Sequence, residues 1–319
     1  MRVQTIDLKL MSVKFMSKKY RKSFFDLKRS NALKSIISIV LDISIIVVAY
    51  FLLFESLIFM PVSLIVIGSR QRAISNLTHD ASHVNLFSSR FLNDALANVF
   101  CAFPMFETIS FYRGNHHKHH QFLGDIKRDP DSVSHLMYGY DDSNPWKGNP
   151  FKNFYRLIFN LQSLKSSLLG SLLNISFKEI IMVLSWWISM GLLLISCFGV
   201  QPTLLILCTW FLSKMTTYHL IRIVAEFLDH SGLRNEGIVN FSRNLPHDGF
   251  LRYIFHPNCD TFHLVHHLYP KIPHYNLREA NKYINSNVDY LAAHHCDSYF
   301  FGKHSALDCW VGKCEGNIK

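Results

Sequence analysis

Histidine is the residue type through which this sequence could do chemistry, and its placement is uneven. Eighteen occur in 319 residues, none of them before position 79. Nine fall in three tight clusters: His79 with His83, then His116, His117, His119 and His120, then His263, His266 and His267. Residues three or four apart on a helix project from one face. His79-x-x-x-His83, His116-x-x-His119-His120 and His263-x-x-His266-His267 therefore each present two or three imidazoles together. Neutral imidazole suits iron, zinc or copper. The clusters offer at least eight ligands, and a tetrahedral zinc takes four, so the count points to two metal ions. A carboxylate-bridged di-iron bundle carries Glu-x-x-His pairs. No glutamate here has histidine three residues on, so any such site is ligated almost wholly by nitrogen.

The elements that must position these rings are read from composition and hydropathy. The chain is 49% hydrophobic and 18% charged with a mean hydropathy of +0.12, which excludes disorder and coiled coil and suggests half membrane, half aqueous cap. A bilayer core of roughly 30 Å needs about 20 apolar residues as helix. Four stretches qualify, at about 36–54, 56–69, 180–200 and 202–222, with Asp42 inside the first and Pro61 a candidate kink in the second. They form two hairpins with very short turns, and the expected fold is all-α and polytopic, capped by a helical domain that holds the histidines. The domain plan is a basic segment 1–34, a membrane domain 35–285 and a tail 286–319. Residues 1–34 hold ten Lys/Arg against two acids, most of the net charge of +10. Basic residues interleaved with Leu8, Leu10, Met11, Phe15 and Phe24 suit an interfacial helix on anionic lipid rather than a nucleic-acid surface. Lys and Arg border the spans everywhere except at the two turns, which places both termini and the histidines in the cytosol.

At this point the chain resembles the integral-membrane fatty acid desaturase and hydroxylase superfamily. THDASH (78–83) is similar to its first histidine box. Arg113-x-x-His116-x-x-His119-His120 is similar to its second, with Asp129-Pro130-Asp131 beyond it. His263-Leu-Val-His266-His267-Leu-Tyr-Pro270-Lys-Ile-Pro273 is similar to its third, and the likeness covers about residues 35–285. The resemblance implies a non-haem di-iron centre using O2, with His79, His83, His116, His119, His120, His263, His266 and His267 as iron ligands. It implies a ninth ligand after the last span, assigned to His230, which lies one turn from Glu226 and two from Arg222. Asp80, Arg113, His117, Glu226, Asn258 and Asp260 are expected to support the ligands, and His219 to pack between helices. Two departures are visible. The first box is spaced by four rather than the five of the acyl-CoA delta-9 class, and Cys259 and Asp260 stand where relatives often carry Asn. His256-Pro257-Asn258 is not the haem-binding HPGG of a fused cytochrome b5 domain, so electrons are expected from a separate donor of the ferredoxin or cytochrome b5 type with its reductase.

An unactivated methylene is too weakly acidic for any side-chain base, so its oxidation needs a metal cofactor and O2, with the protein fixing geometry and excluding water. The expected reaction is desaturation of a lipid- or carrier-linked fatty acyl chain reaching the metals through an apolar tunnel. A hydroxylase or ketolase of a carotenoid or alkyl chain uses the same ligands and is the alternative; a membrane zinc hydrolase, with one metal and no O2, is a distant one. Residues 91–106 read as a half-embedded helix, and Trp146–Phe159 as a head-group entrance. The cysteines read as reduced thiols, with a zinc site of Cys309, Cys314, His294, His295 and His304 as the minor reading.

Overall fold

The computed structural model describes residues 5–140, 150–233, 235–302 and 304–310. Trp146 and Cys314 lie outside them. The chain is all-α: among the described residues four helices are long and apolar enough to cross a membrane, and the only strands are β1 (Arg243–Asn244) and β2 (His294–His295), paired in parallel.

Two short helices, α1 (Thr5–Met11) and α2 (Lys18–Asp26), precede the first span, α3 (Ala32–Glu55), which Asn31 caps by accepting from the Lys34 amide. One face of α3 leaves Ile37, Val40, Leu41 and Val48 exposed to lipid, while Ile39, Ile46, Ala49 and Leu53 are buried. Ser56 turns the chain, and α4 (Met60–Ser82) follows a short 3₁₀ turn. Pro61 falls in the first turn of α4, where its missing N–H leaves no bond unmade, so it starts the helix instead of kinking it. Hydropathy ends this span at about residue 69, yet the helix runs on to Ser82. Arg70 and Arg72 do not leave the protein. Arg70 Nη1 donates to Asp42 Oδ1 of α3 (2.8 Å), and Arg72 Nη2 donates to Asp260 Oδ2 (2.9 Å). Paired charges can continue inside a packed bundle where isolated ones would end it.

Residues 91–106 are not one helix. Helix α5 (Arg90–Ala97) passes through a π turn (Asn98–Ala102) and a 3₁₀ turn (Phe103–Met105), then bends by 85° into α6 (Ile109–Phe122). Phe91 and Val99 stay exposed while Ala97 and Cys101 pack against α4. Short helices α7 (Pro130–Met137), α8 (Pro150–Ile158) and α9 (Leu161–Leu169) lead to the second hairpin. There α10 (Phe177–Phe198) opens with a Ser176/Glu179 capping box, and Gly199, at φ +81°, turns it into α11 (Val200–Met215) and α12 (Thr217–His230). The cap adds α13 (Ile238–Phe241), α14 (Leu251–Phe255), α15 (His263–Leu268) and α16 (His274–Ile284).

The backbones of α4 and α12 touch at Gly68, where a Cβ would stand 2.4 Å from Thr217 Oγ1 and 2.7 Å from the Tyr218 amide nitrogen. Overpacking of this kind costs about 1–3 kcal/mol. Gly68→Val is expected to lower the apparent melting temperature of the detergent-solubilised protein by several degrees, read by a thermal-shift assay.

The basic N-terminal segment turns part of its apolar face into protein. Leu10, Val13, Met16 and Phe24 are buried in the cluster that holds Phe262, Val265 and Tyr269 of the cap, and the Asp7 carboxylate accepts from the Ile238 and Val239 amides (both 3.1 Å). Leu8, Met11 and Phe25 remain exposed. At the other end, Cys309 is buried with Cys296, Leu228 and Leu245. Among the described residues no metal-binding group forms around Cys309, and His295 Nε2 is spent on the Tyr290 carbonyl (2.7 Å).

Candidate metal centre

Both α4 and α12 begin at or after a hairpin turn and end at the cap, so their last turns deliver His79, His83 and His230 to one place. Helices α6 and α15 supply the rest. The nine imidazoles divide into two groups. In the first, Nε2 of His116 lies 2.9 Å from Nε2 of both His83 and His120, and Nε2 of His120 lies 3.0 Å from that of His266. His79 completes it, its ring 4.3 Å from His116 and 4.2 Å from His266. In the second, Nε2 of His263 lies 2.8 Å from that of His230 and 3.0 Å from that of His267. The His119 ring stands 5.2 Å from His230 and 5.1 Å from His267.

The division follows from the helical period. In each HxxHH box the first and last histidines, four apart, share a face, while the middle one lies about 100° from its immediate neighbour. In α6 the i, i+4 pair His116/His120 serves the first group and His119 the second. In α15 the roles are exchanged: His263/His267 serve the second group and His266 the first.

Hydrogen bonding between rings does not account for this packing. An imidazole Nε2 has one in-plane site, holding either a proton or a lone pair, so His116 and His120 cannot each bond two neighbours through it. Lone pairs converging on one cation do. At a metal–nitrogen distance of about 2.1 Å, ligands at right angles stand roughly 3 Å apart, which is the spacing seen. Protonation agrees. Burial and the adjoining imidazoles hold His83, His263, His266 and His267 well below the ordinary histidine pKa, so these rings are neutral and can donate lone pairs. His119 differs: burial lowers it, but Asp131 and Asp129 outweigh that and bring it to about 9. Its Nδ1 is 2.9 Å from Asp129 Oδ1, so Nε2 faces the second group, and a metal ion taking it would displace the proton held there. This is the carboxylate–histidine arrangement that fixes a ligand's orientation. His230 Nδ1 similarly donates to the Phe241 carbonyl (2.6 Å). We expect Asp129→Asn to weaken metal binding about 10–100-fold, measured by competition with a chelator.

The remaining expected residues act at one remove or elsewhere. Arg113 donates to the carbonyls of Ser82 (2.8 Å) and Ala81 (3.1 Å) and pairs with Asp94, tying α6 to the end of α4. Asp80 accepts from His274 Nδ1 (2.7 Å) and Asn85 (2.9 Å), clamping the first box to the tail of the third. Asp260 pairs with Arg72, and Glu226 with Arg222 (3.0 Å). His117 is exposed and belongs to neither group. Asn258 is not brought to the rings: its amide donates to Asp42 (3.0 Å) and the Ala73 carbonyl (3.1 Å). His219 spans Ser167 Oγ (2.7 Å) and the Ile158 carbonyl (2.9 Å). Asp229 escapes the sequence reading. His256 Nε2 stands 3.2 Å from Asp229 Oδ1, which is 3.9 Å from His263 Nδ1. Position 229, immediately before His230, was the available signal.

A cavity of about 800 Å³ opens onto His79, His116, His119, His230 and His263. It is not the apolar tunnel expected from the sequence. Arg72, Glu107, Asn115, Asp131, Lys165 and Arg222 line it alongside Phe111, Leu169 and Leu173.

Fold and site together define an all-helical integral membrane protein whose cap holds two histidine groups side by side. The chain belongs to the fatty acid desaturase family, whose model it matches over residues 55–299. It is also similar to the dihydrorhizobitoxine desaturase of Bradyrhizobium elkanii, 29% identical over 238 residues. That match covers 70% of this chain and 66% of the relative, so the chain spans just under two thirds of the relative's length.

Proposed function

We propose that this protein is an O2-dependent desaturase that removes two hydrogens from adjacent carbons of a methylene chain. The observation that carries the reading is the division of nine buried or half-buried imidazoles into two groups with metal-ligand spacing. His79, His83, His116, His120 and His266 would hold one iron; His119, His230, His263 and His267 would hold the other. Two irons bound there supply the O2 activation and C–H cleavage that no side chain can perform, with electrons from a separate protein donor. The chain's own part is orientation. Asp129 and the Phe241 carbonyl fix the rings of His119 and His230, while Arg113 and Asp80 fix the helix ends that carry the first box. The distribution of Lys and Arg supports termini and site on the cytosolic side.

The test is metal analysis of purified protein together with mass spectrometry of lipid and water-soluble extracts from expressing cells. Two irons per chain, and an aerobic product lighter by two hydrogens that is missing from anaerobic cells, are the expected results. A product gaining one oxygen indicates the hydroxylase alternative. A lone zinc overturns the reading.

A further inference from the structure

We propose that the substrate carries a protonated amine and that Glu107 binds it in the cavity beside the imidazoles; the inference rests on the desaturase reading of that site. Besides the histidines, the cavity is lined by Glu107, Tyr112, Asn115, Gln162, Lys165 and Asn174. Among the described residues none of these six side chains makes a hydrogen bond or ion pair within the protein. Gln162, Lys165 and Asn174 are exposed, but Glu107, Tyr112 and Asn115 are half-buried, and a bare acyl tail packed on these three would strip their water and return nothing, at about 1–3 kcal/mol for each group left unsatisfied.

The charges narrow the ligand further. The other acids at the cavity are matched: Asp129 and Asp131 face His119, Glu226 is held by Arg222, and Asp229 and Asp260 share Arg72. Glu107 alone is left over. The nearby ammonium of Lys214 donates to the Met105 carbonyl (3.0 Å) and forms no ion pair with Glu107. Burial raises the Glu107 carboxyl to about 7 against the pull of Lys214 and Arg222, and both of those cations spend their hydrogen bonds elsewhere, so Glu107 has no bonded cation. An aliphatic ammonium supplies one. Glu107 lies two residues before α6, and the seven residues from Ile109 to His116 advance roughly 10 Å along the helix axis, so an amine seated there leaves several methylenes to reach the rings.

The ammonium could belong to a soluble amine or to an amine-headed lipid, and paired probes distinguish them. Full-length metal-loaded protein in phosphatidylcholine nanodiscs is titrated with hexylamine against 1-hexanol, and with octadecylamine against 1-octadecanol. We expect at least a tenfold preference for amine over alcohol in one pair. The short pair identifies a soluble substrate, the long pair a lipid. The preference should vanish in Glu107→Gln and survive in Lys165→Met at the cavity mouth. Equal binding of amine and alcohol in both pairs overturns the proposal. So does a preference that persists in Glu107→Gln, or stearate displacing both amines. If Glu107→Gln fails to fold, the wild-type comparison decides alone. Iron content and the two-hydrogen mass loss are separate readouts, so failure of the desaturase reading is distinguishable from failure of the amine site.

Discussion

On the di-iron reading proposed above, His266→Ala is expected to abolish turnover and to lower bound iron from two ions to about one per chain, while the protein still inserts into the membrane. His266 is the only donor that α15 gives to the first group, and its ring lies 4.2 Å from His79, 4.9 Å from His83 and 5.0 Å from His120. Without it the group draws only on α4 and α6 and is open on the side of α15. His83→Ala removes a donor of the same group and has the same outcome. His117→Ala is the control: that ring is exposed and in neither group, so iron and turnover are retained. Full activity in His266→Ala would refute its place as a ligand. Metal analysis beside single-turnover kinetics reads both effects on one preparation.

Asp42→Ala is the most damaging single change expected away from the imidazoles. It leaves the Arg70 guanidinium buried between α3 and α4 without its carboxylate, and also deprives Asn258 of an acceptor. Breaking one side of a buried pair costs about 3–5 kcal/mol, enough to lower the apparent melting temperature by roughly 10 °C. The double variant Asp42→Leu/Arg70→Met removes both charges and should recover most of the loss. If the single and double variants melt alike, the pair is not what holds the two helices together.

Much of this site was legible because its information is local. Spacings of three and four put imidazoles on one face wherever the segment is helical, so the three clusters could be found without knowing how the chain folds. Which ring joins which group could not. His119 and His120 are neighbours in the chain yet serve different groups, and only the placement of α12 and α15 against α6 decides that. The second span was drawn short for a related reason. Hydropathy treats Arg70 and Arg72 as a return to water, but their partners Asp42 and Asp260 lie 28 and 188 residues away, beyond the reach of any window. The chemistry of a lipid tail calls for an apolar route and says nothing of the polar lining of the cavity. That lining comes from α4, α6, α7, α9 and α12 and from the turn before α6, which meet only in the folded chain.

In α6 and in α15 the chain hands consecutive residues to different groups of imidazoles. The interval between the two centres is thereby set by a pair of dipeptides, His119-His120 and His266-His267, and needs no bridging side chain to define it. A one-residue insertion in either dipeptide would swing a donor about 100° around its helix and misalign both centres at once. Because each of these two helices reaches both groups, a shift of α6 or of α15 carries donors of both together.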